Sequence, residues 1–136
     1  MRSQLQRMAV FGGLLAGAFG SSAPARAPEL SVLDRLEKGA WELRGRGAGG
    51  PVFNLCLGDP RQLMQVRHHH HRCVQRVVEA KANAVTVHYS CPGAGQGRTT
   101  LRIETRELVQ MHTQGVAQSA PFSLALEGRH KGKCHR

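Results

Sequence analysis

Residues 73–91 read CVQRVVEAKANAVTVHYSC, and this stretch predicts a β-hairpin that is closed by a disulfide. Apolar and polar side chains alternate along its second half, which is the period of a half-buried strand. A matching strand precedes it, and the short loop between them is centred on Ala82. Cys73 and Cys91 are equally far from Ala82, so they face each other across the hairpin at a Cα separation that a disulfide tolerates.

The sequence contains four cysteines, which allow three different pairings. Pairing Cys73 with Cys91 leaves Cys56 and Cys134, and a disulfide between these two would hold the C-terminal tail against an earlier strand. The alternative pairs Cys56 with Cys73 and Cys91 with Cys134. No C-x-x-C motif is present, so structural disulfides are favoured over a redox couple or a thiolate metal site.

The rest of the chain also predicts short strands, separated by turns rich in glycine or polar residues. The predicted strands are residues 40–46, 52–57, 73–80, 84–91, 99–106, 109–113 and 122–126. Short helices are predicted at residues 28–38 and directly after Asp59. Turns are expected at residues 92–97 and around Gln114, and a basic tail at the end. We therefore expect a mainly β domain: an antiparallel meander of about seven strands that curls into a partial barrel or sandwich, with two short helices and disulfide staples.

The first 25 residues have the pattern of a secretory signal peptide. Arg2 and Arg7 precede an apolar run, residues 8–19, that is too short to span a membrane, and small residues follow up to a cleavage site after Ala25. The pattern predicts one exported domain over residues 26–136, periplasmic or secreted and without a transmembrane segment. Export would bring the cysteines into an oxidising compartment, where they form disulfides.

The composition is strongly basic, with a formal net charge of +10. Removing Arg2 and Arg7 with the signal peptide lowers the basic residues from 19 to 17 against nine acidic ones. Such a charge favours anionic partners, such as anionic components of the envelope, and it also aids solubility. Nucleic acid is disfavoured as a partner because the few aromatic residues make a poor platform for stacking bases.

Four consecutive histidines, His68, His69, His70 and His71, are the candidate metal ligands. Adjacent imidazoles on a mobile segment can capture zinc, copper or nickel. Arginines bracket the run and no acidic residue lies beside it in the sequence. We therefore favour an exposed, non-specific chelating segment over a dedicated metal site, and we predict no resident cofactor.

The segment PGAGQGR, residues 92–98, is a candidate anion site. Gly95, Gly97 and Arg98 could hold an anion with backbone N–H groups and a guanidinium. The segment lacks the G-x-G-x-x-G spacing, and a β pattern rather than a helix follows it. A flexible turn is the favoured interpretation.

No set of catalytic residues emerges from the sequence, which lacks G-x-S-x-G and H-E-x-x-H. His88 and Ser90 share one face of their predicted strand while Cys91 points to the other face. We expect a non-enzymatic protein. Gly39-Ala40-Trp41 resembles the G-x-W that opens lipocalin-like barrels, which keeps a small-molecule carrier as an alternative.

The predicted signal peptide is followed by short motifs along nearly the whole mature chain. They are Gly39-Ala40-Trp41, Cys56-Leu57 before a short helix, Cys73 opening a hairpin, Cys91-Pro92 closing it, and Gly132-Lys133-Cys134. Together these motifs resemble a family of small exported proteins of Gram-negative bacteria, classed as a domain of unknown function. The resemblance implies export and a stapled fold, transfers no site residue, and does not include the histidine run.

Three hypotheses for the function follow from these observations. The favoured one is a non-enzymatic periplasmic or secreted β-domain that acts in binding or is associated with the envelope, through a basic surface. The alternatives are a lipocalin-like carrier of a small molecule and a metal-binding protein that uses the histidine run.

Overall fold

The computed structural model describes residues 30–135, so the predicted signal peptide, residues 1–25, lies outside the described residues. Within them the chain forms seven strands and two short 3₁₀ helices. The helices are η1 (Leu30–Arg35) and η2 (Pro60–His68). The strands are β1 (Gly39–Gly45), β2 (Val52–Leu57), β3 (Val74–Ala80), β4 (Ala84–Cys91), β5 (Gly95–Thr105), β6 (Leu108–Ala117) and β7 (Ala120–Gly132).

All seven strands belong to one open antiparallel sheet with the order β2-β1-β7-β6-β5-β4-β3. Strands β3 to β7 form a continuous meander, and the β1–β2 hairpin is added beside β7. Helix η2 contacts β2 at one edge as well as β4 and β5, and η1 contacts β3, β4 and η2. The sheet therefore curves around the helices, and the predicted mainly β meander with two short helices is confirmed.

The side of the sheet that faces the helices is filled by apolar side chains. Alternation along the strands directs one set of residues inward and leaves the other set exposed. The largest fully buried side chains include Trp41, Tyr89, Leu33, Leu43, Leu63, Met64, Leu101 and Leu126. Few of these side chains are aromatic, so the core is made mainly of aliphatic residues that both helices and most strands contribute.

Helix η2 begins at a capping box, as the Asp59–Pro60 sequence predicts. The Asp59 carboxylate accepts a hydrogen bond from the backbone N–H of Arg61 at 3.0 Å, and the Gln62 side chain accepts from the Asp59 N–H at 3.4 Å. This start fixes the helix so that Leu63, Met64, Val66 and His68 are buried, while Arg67 stays exposed.

The hairpin of β3 and β4 lies where the sequence places it, with residues 81–83 as its loop. A bulge between Val77 and Glu79 shifts the register near the loop by one residue. Beyond the bulge the pairing is symmetric about Ala82, as predicted, up to Val74 opposite Ser90. The cysteines therefore face each other even though the register next to the loop differs from the prediction.

Two disulfides are formed, and they are the pairs that the hairpin register favours. Cys73 is bonded to Cys91 with a Cα–Cα distance of 4.2 Å, and Cys56 is bonded to Cys134 with a Cα–Cα distance of 5.5 Å. The first disulfide closes the β3–β4 hairpin. The second joins the residues after β7 to β2, which lies on the far side of β1.

Three expectations near the end of the chain are wrong. The predicted connection at residues 92–97 is shorter, because β5 already begins at Gly95. No turn forms at Gln114–Gly115: a Cβ on Gly115 would collide with the Gln96 carbonyl oxygen, so the glycine serves close approach of two strands. The basic tail is largely the second half of β7, which pairs with β1.

The turn between β6 and β7 instead consists of Gln118 and Ser119, whose φ angles are 51° and 63°. These angles lie in the left-handed region, which glycine and asparagine usually occupy in two-residue hairpin turns. The absence of either residue at this position is why the sequence does not reveal the turn.

Trp41 of the G-x-W motif is buried, and its indole N–H donates to the Glu37 carbonyl oxygen at 2.8 Å. Gly39 has a φ of 132°, and a Cβ there would collide with the Gly132 carbonyl oxygen. The first and last motifs of the resemblance therefore touch each other. Neither helix in the described part of the chain is long and apolar enough to cross a membrane.

Candidate functional site

The outer face of the sheet carries a transverse row of exposed polar side chains. Arg76, His88, Arg98, Gln114 and Ser123 lie directly opposite one another on the five strands from β3 to β7. All five side chains are exposed because alternation points them away from the helices. We call Arg76, His88 and Arg98 the basic row.

Most other arginines on this face are already paired with a carboxylate. Arg44 lies 2.6 Å from Glu42, Arg102 lies 2.5 Å from Glu104, and Arg129 lies 2.7 Å from Glu127. Hydrogen bonding to Arg44 lowers the pKa of Glu42, and hydrogen bonds from Gln110 and then Arg129 lower the pKa of Glu127. These pairs cancel their own charge, so they add little to the potential of the face.

The basic row is different, because no carboxylate of residues 30–135 lies within ion-pair distance of Arg76 or Arg98. His88 stands between the two arginines in neighbouring strands. A depression of about 390 Å³ borders the row and is lined by His88, Arg98, Gln114 and Ser123 among others. The row is therefore a positive strip beside uncharged hydrogen-bonding groups, which is the chemistry that binds phosphate oxygens.

The residues next to this strip are uncharged hydroxyl groups on β4 and β5 and exposed valines on β3 and β6, namely Val74, Val78 and Val116. The hydroxyls of Thr86 and Thr100 are hydrogen-bonded at 2.9 Å, and His112 faces Thr100 from β6. The row lies across the regular part of the sheet with its side chains exposed, so it can meet several anionic groups of one extended surface at once.

The glycines of the predicted anion segment lie inside the sheet rather than in a loop. Gly95 pairs with Cys91 and Ala117, and Gly97 lies in β5 between β4 and β6. A Cβ on Gly97 would lie 2.5 Å from the Tyr89 Oη, so this glycine makes room for an inner side chain. Gly95 has a φ of 131°, and a Cβ there would collide with the Val116 carbonyl oxygen, so it permits the close approach of β6. Only Arg98 of the predicted trio presents an exposed side chain.

On the inner side, His68 and Tyr89 form a buried polar pair. His68 is 3 % exposed, its Nε2 lies 3.2 Å from the Ala94 carbonyl oxygen, and its Nδ1 lies 3.0 Å from the Tyr89 hydroxyl. Because a carbonyl can only accept, Nε2 carries the proton and Nδ1 accepts from the Tyr89 O–H. Both ring nitrogens are thus occupied.

The environment keeps both members of this pair neutral. Burial lowers the pKa of His68; the hydrogen bond to Ala94 opposes this, and the charges of His71 and Arg67 add to it. Burial raises the pKa of Tyr89 to about 12. Next to Tyr89, the hydroxyls of Thr99 and Thr113 are hydrogen-bonded to each other at 2.8 Å.

The four histidines of the predicted metal run do not share one environment. His68 is buried, His69 is half-buried with its Nδ1 2.9 Å from the Val66 carbonyl oxygen, and His70 and His71 are exposed. The run begins inside η2, so its first member faces the core, which differs from the exposed segment that the sequence predicts. Among the described residues no group of three or more histidine, cysteine or acidic side chains is arranged to hold a metal ion.

Sequence reasoning missed Arg76 and His88 as members of a site. Strand alternation already placed both on the outward face, and the hairpin register placed them opposite each other. The missing information was that β5 pairs with β4 in a register that brings Arg98 next to His88.

No family model, curated protein or solved structure matches this chain. The resemblance to the family of small exported proteins therefore stays a prediction from the sequence. The disulfides indicate the location more directly than the resemblance does. Two disulfides and no free cysteine among the described residues are typical of proteins in oxidising compartments.

Proposed function

We propose that this protein is a non-enzymatic domain of the bacterial cell envelope that attaches to phosphate-bearing anionic lipid surfaces through its basic row. The observation that carries the proposal is that Arg76 and Arg98 flank His88 with no carboxylate partner among residues 30–135. The other arginine pairs on the same face show that the sheet readily accommodates a neutralising glutamate, which the row lacks.

Export is part of the proposal. The N-terminal pattern of residues 1–25 and the two disulfides support a periplasmic or secreted domain. Membership in the exported family that the sequence resembles would fit the same location. Phosphate-bearing lipids are the most abundant anionic groups that such a domain meets at a membrane surface.

The strength of attachment should be modest and sensitive to salt. Each basic side chain near an anionic membrane contributes about 1 kcal/mol, so two unpaired arginines contribute about 2 kcal/mol. Screening shortens the range of this attraction from about 10 Å at 0.1 M salt to about 3 Å at 1 M salt. We expect reversible binding that is lost at high salt.

The test is co-sedimentation of the oxidised protein with vesicles of phosphatidylglycerol and phosphatidylcholine, compared with vesicles of phosphatidylcholine alone. We expect binding only to the anionic vesicles. The double variant Arg76→Gln/Arg98→Gln should weaken that binding about 30-fold, which is the loss of two such contributions.

The matched control is Arg102→Gln/Arg129→Gln, which removes the same charge from the same face but from arginines already paired with glutamates. The proposal predicts a much smaller loss for this variant. Equal losses would show that only net charge matters, and binding to neutral vesicles that persists at high salt would show that the basic row is not the contact surface. All four side chains are exposed, so both variants should keep the wild-type circular dichroism spectrum.

A further inference from the structure

A second feature, separate from the outer face, is a pocket at the end of η2 with a volume of about 270 Å³. Three chain segments meet there: the end of η2 with Arg67, His68 and His71, the β4–β5 connection with Ala94, and the β6–β7 turn with Gln118. We call it the η2 pocket. Its volume is slightly below the usual range for ligand pockets, which is about 300–1,000 Å³.

The walls of the η2 pocket are tied to one another. The Gln65 amide donates to the carbonyl oxygens of His68 at 3.1 Å and His71 at 2.9 Å, which holds the turn after η2. The ring of His68 contacts the Ala94 carbonyl, and the Gln118 N–H donates to the same oxygen at 3.4 Å. These hydrogen bonds hold the walls of the pocket in place, so binding needs little rearrangement.

The Cys73–Cys91 disulfide supports the same region. Cys73 follows the segment after η2, and Cys91 precedes the β4–β5 connection. Two of the three segments that line the pocket are thus anchored by one covalent bond.

The charge of the η2 pocket is positive and unbalanced. No carboxylate of the described chain lies within ion-pair distance of Arg67. Burial is the main cause that lowers the pKa of His68, and the nearby charges of His71 and Arg67 add to it. Arg67, His71 and the Gln118 amide all offer N–H donors.

The turn that supplies Gln118 is held in an unfavourable conformation. Gln118 and Ser119 both have left-handed φ angles, which cost a non-glycine residue free energy. Such strain is concentrated at ligand sites, where a particular side chain is needed in place of the residue that the turn prefers. Here the turn keeps a glutamine at the pocket where asparagine or glycine would fit the backbone better.

From the charge, the donors and the volume together, we propose that the η2 pocket binds the phosphate group of a small phosphorylated molecule. The planar guanidinium of Arg67 can donate two parallel N–H hydrogen bonds to phosphate oxygens. The side chains of His71 and Gln118 can complete the contact. The pocket is too small for a large ligand, so most of the recognition would rest on the phosphate itself.

The test is an NMR titration of the ¹⁵N-labelled, oxidised protein with glycerol 3-phosphate, with uncharged glycerol as the matched probe. We expect saturable shifts confined to the backbone around residues 67–71, 93–94 and 117–118, and none with glycerol. Arg67→Gln should weaken glycerol 3-phosphate binding by about tenfold or more, because a charge-assisted hydrogen bond is lost.

Arg72→Gln is the matched control, because Arg72 is an exposed arginine just beyond the histidine run that does not line the pocket. It should leave the affinity nearly unchanged, while Gln118→Ala should weaken it. Shifts that do not saturate, or equal weakening by Arg67→Gln and Arg72→Gln, would overturn the proposal. The spectrum of each variant also reports whether the fold is kept.

The η2 pocket and the basic row can fail independently. The variant Arg76→Gln/Arg98→Gln should bind glycerol 3-phosphate as the wild type does. In an Arg67→Gln background, replacing Arg76 and Arg98 should still weaken vesicle binding. One combined result would overturn the pocket proposal: Arg67→Gln abolishes vesicle binding, and the wild-type protein does not respond to glycerol 3-phosphate. Arg67 would then contact the lipid surface, and the η2 pocket would have no phosphate ligand.

Discussion

The two faces of the sheet place the same residue type in opposite settings. His68 on the inner side is buried with both ring nitrogens hydrogen-bonded, whereas His88 on the outer face is exposed between two arginines. The inner histidine has no free nitrogen for a ligand, and it completes the packing around Tyr89. The comparison teaches that residue type alone does not mark a functional histidine; its free hydrogen-bonding capacity does.

The arginines give the same lesson within one face. Arg102 and Arg129 are paired with glutamates, and Arg76 and Arg98 are not paired with any carboxylate of the described residues. Stability should therefore depend on the inner side of the sheet, and binding on the unpaired groups of the outer face.

The largest difference between the two faces should appear when an inner side chain is truncated. Leu101 of β5 is fully buried, so Leu101→Ala should lower the free energy of unfolding by about 2–5 kcal/mol through lost burial and a cavity. Its neighbour Arg102 points outward, and Arg102→Ala should cost less than about 1 kcal/mol. Urea unfolding of both oxidised variants measures this difference, and similar losses at the two positions would show that the faces are not distinct.

A smaller effect should come from the buried polar pair. Tyr89→Phe keeps the ring and removes the hydroxyl that donates to His68, leaving a buried nitrogen without its partner. We expect a loss of about 1–3 kcal/mol in the free energy of unfolding. Ser90→Ala on the outer face of the same strand should change it by less than about 0.5 kcal/mol. No loss for Tyr89→Phe would mean that the hydrogen bond contributes nothing to stability.

The smallest expected effect is on the pH dependence of stability. Burial lowers the pKa of His68 in the folded state, while an unfolded histidine has a pKa of about 6.5. Below about pH 6.5 the unfolded chain therefore takes up this proton more readily than the folded chain, and stability falls as the pH drops towards the folded pKa.

The measurement is urea unfolding at about pH 7.5 and about pH 5.5, on either side of the unfolded value. Wild-type protein should lose more stability between the two than His68→Gln does. An unchanged dependence in His68→Gln would assign the acid sensitivity to other groups.

Much of the fold could be predicted because its signals are local. Strand β2 and the β3–β4 hairpin follow from alternation, and Asp59–Pro60 predicts the start of η2. The errors lie where a residue has a non-local role. Gly115 was interpreted as a turn because glycine favours turns, whereas it permits the close approach of Gln96. Gln118 and Ser119 form the turn without any of the residues that mark one.

The candidate site was less predictable than the fold. Arg98 was named as a candidate together with the glycines beside it, but Gly95 and Gly97 lie within β5, where a Cβ would collide with the Val116 carbonyl oxygen and with the Tyr89 side chain. The histidine run is conspicuous in the sequence, yet its members separate between core and solvent, because a helix sends consecutive side chains in different directions.

By itself, the sequence determined the mainly β architecture and favoured the Cys73–Cys91 pair, because both depend on alternation and on spacing within short stretches of chain. The Cys56–Cys134 pair, with a sequence separation of 78, followed from the sequence only by elimination. Only the tertiary structure decided which histidine is buried and which arginines have no carboxylate partner among residues 30–135. Those properties depend on which strands become neighbours and in what register, and strands far apart in the chain acquire their neighbours only when the sheet is assembled.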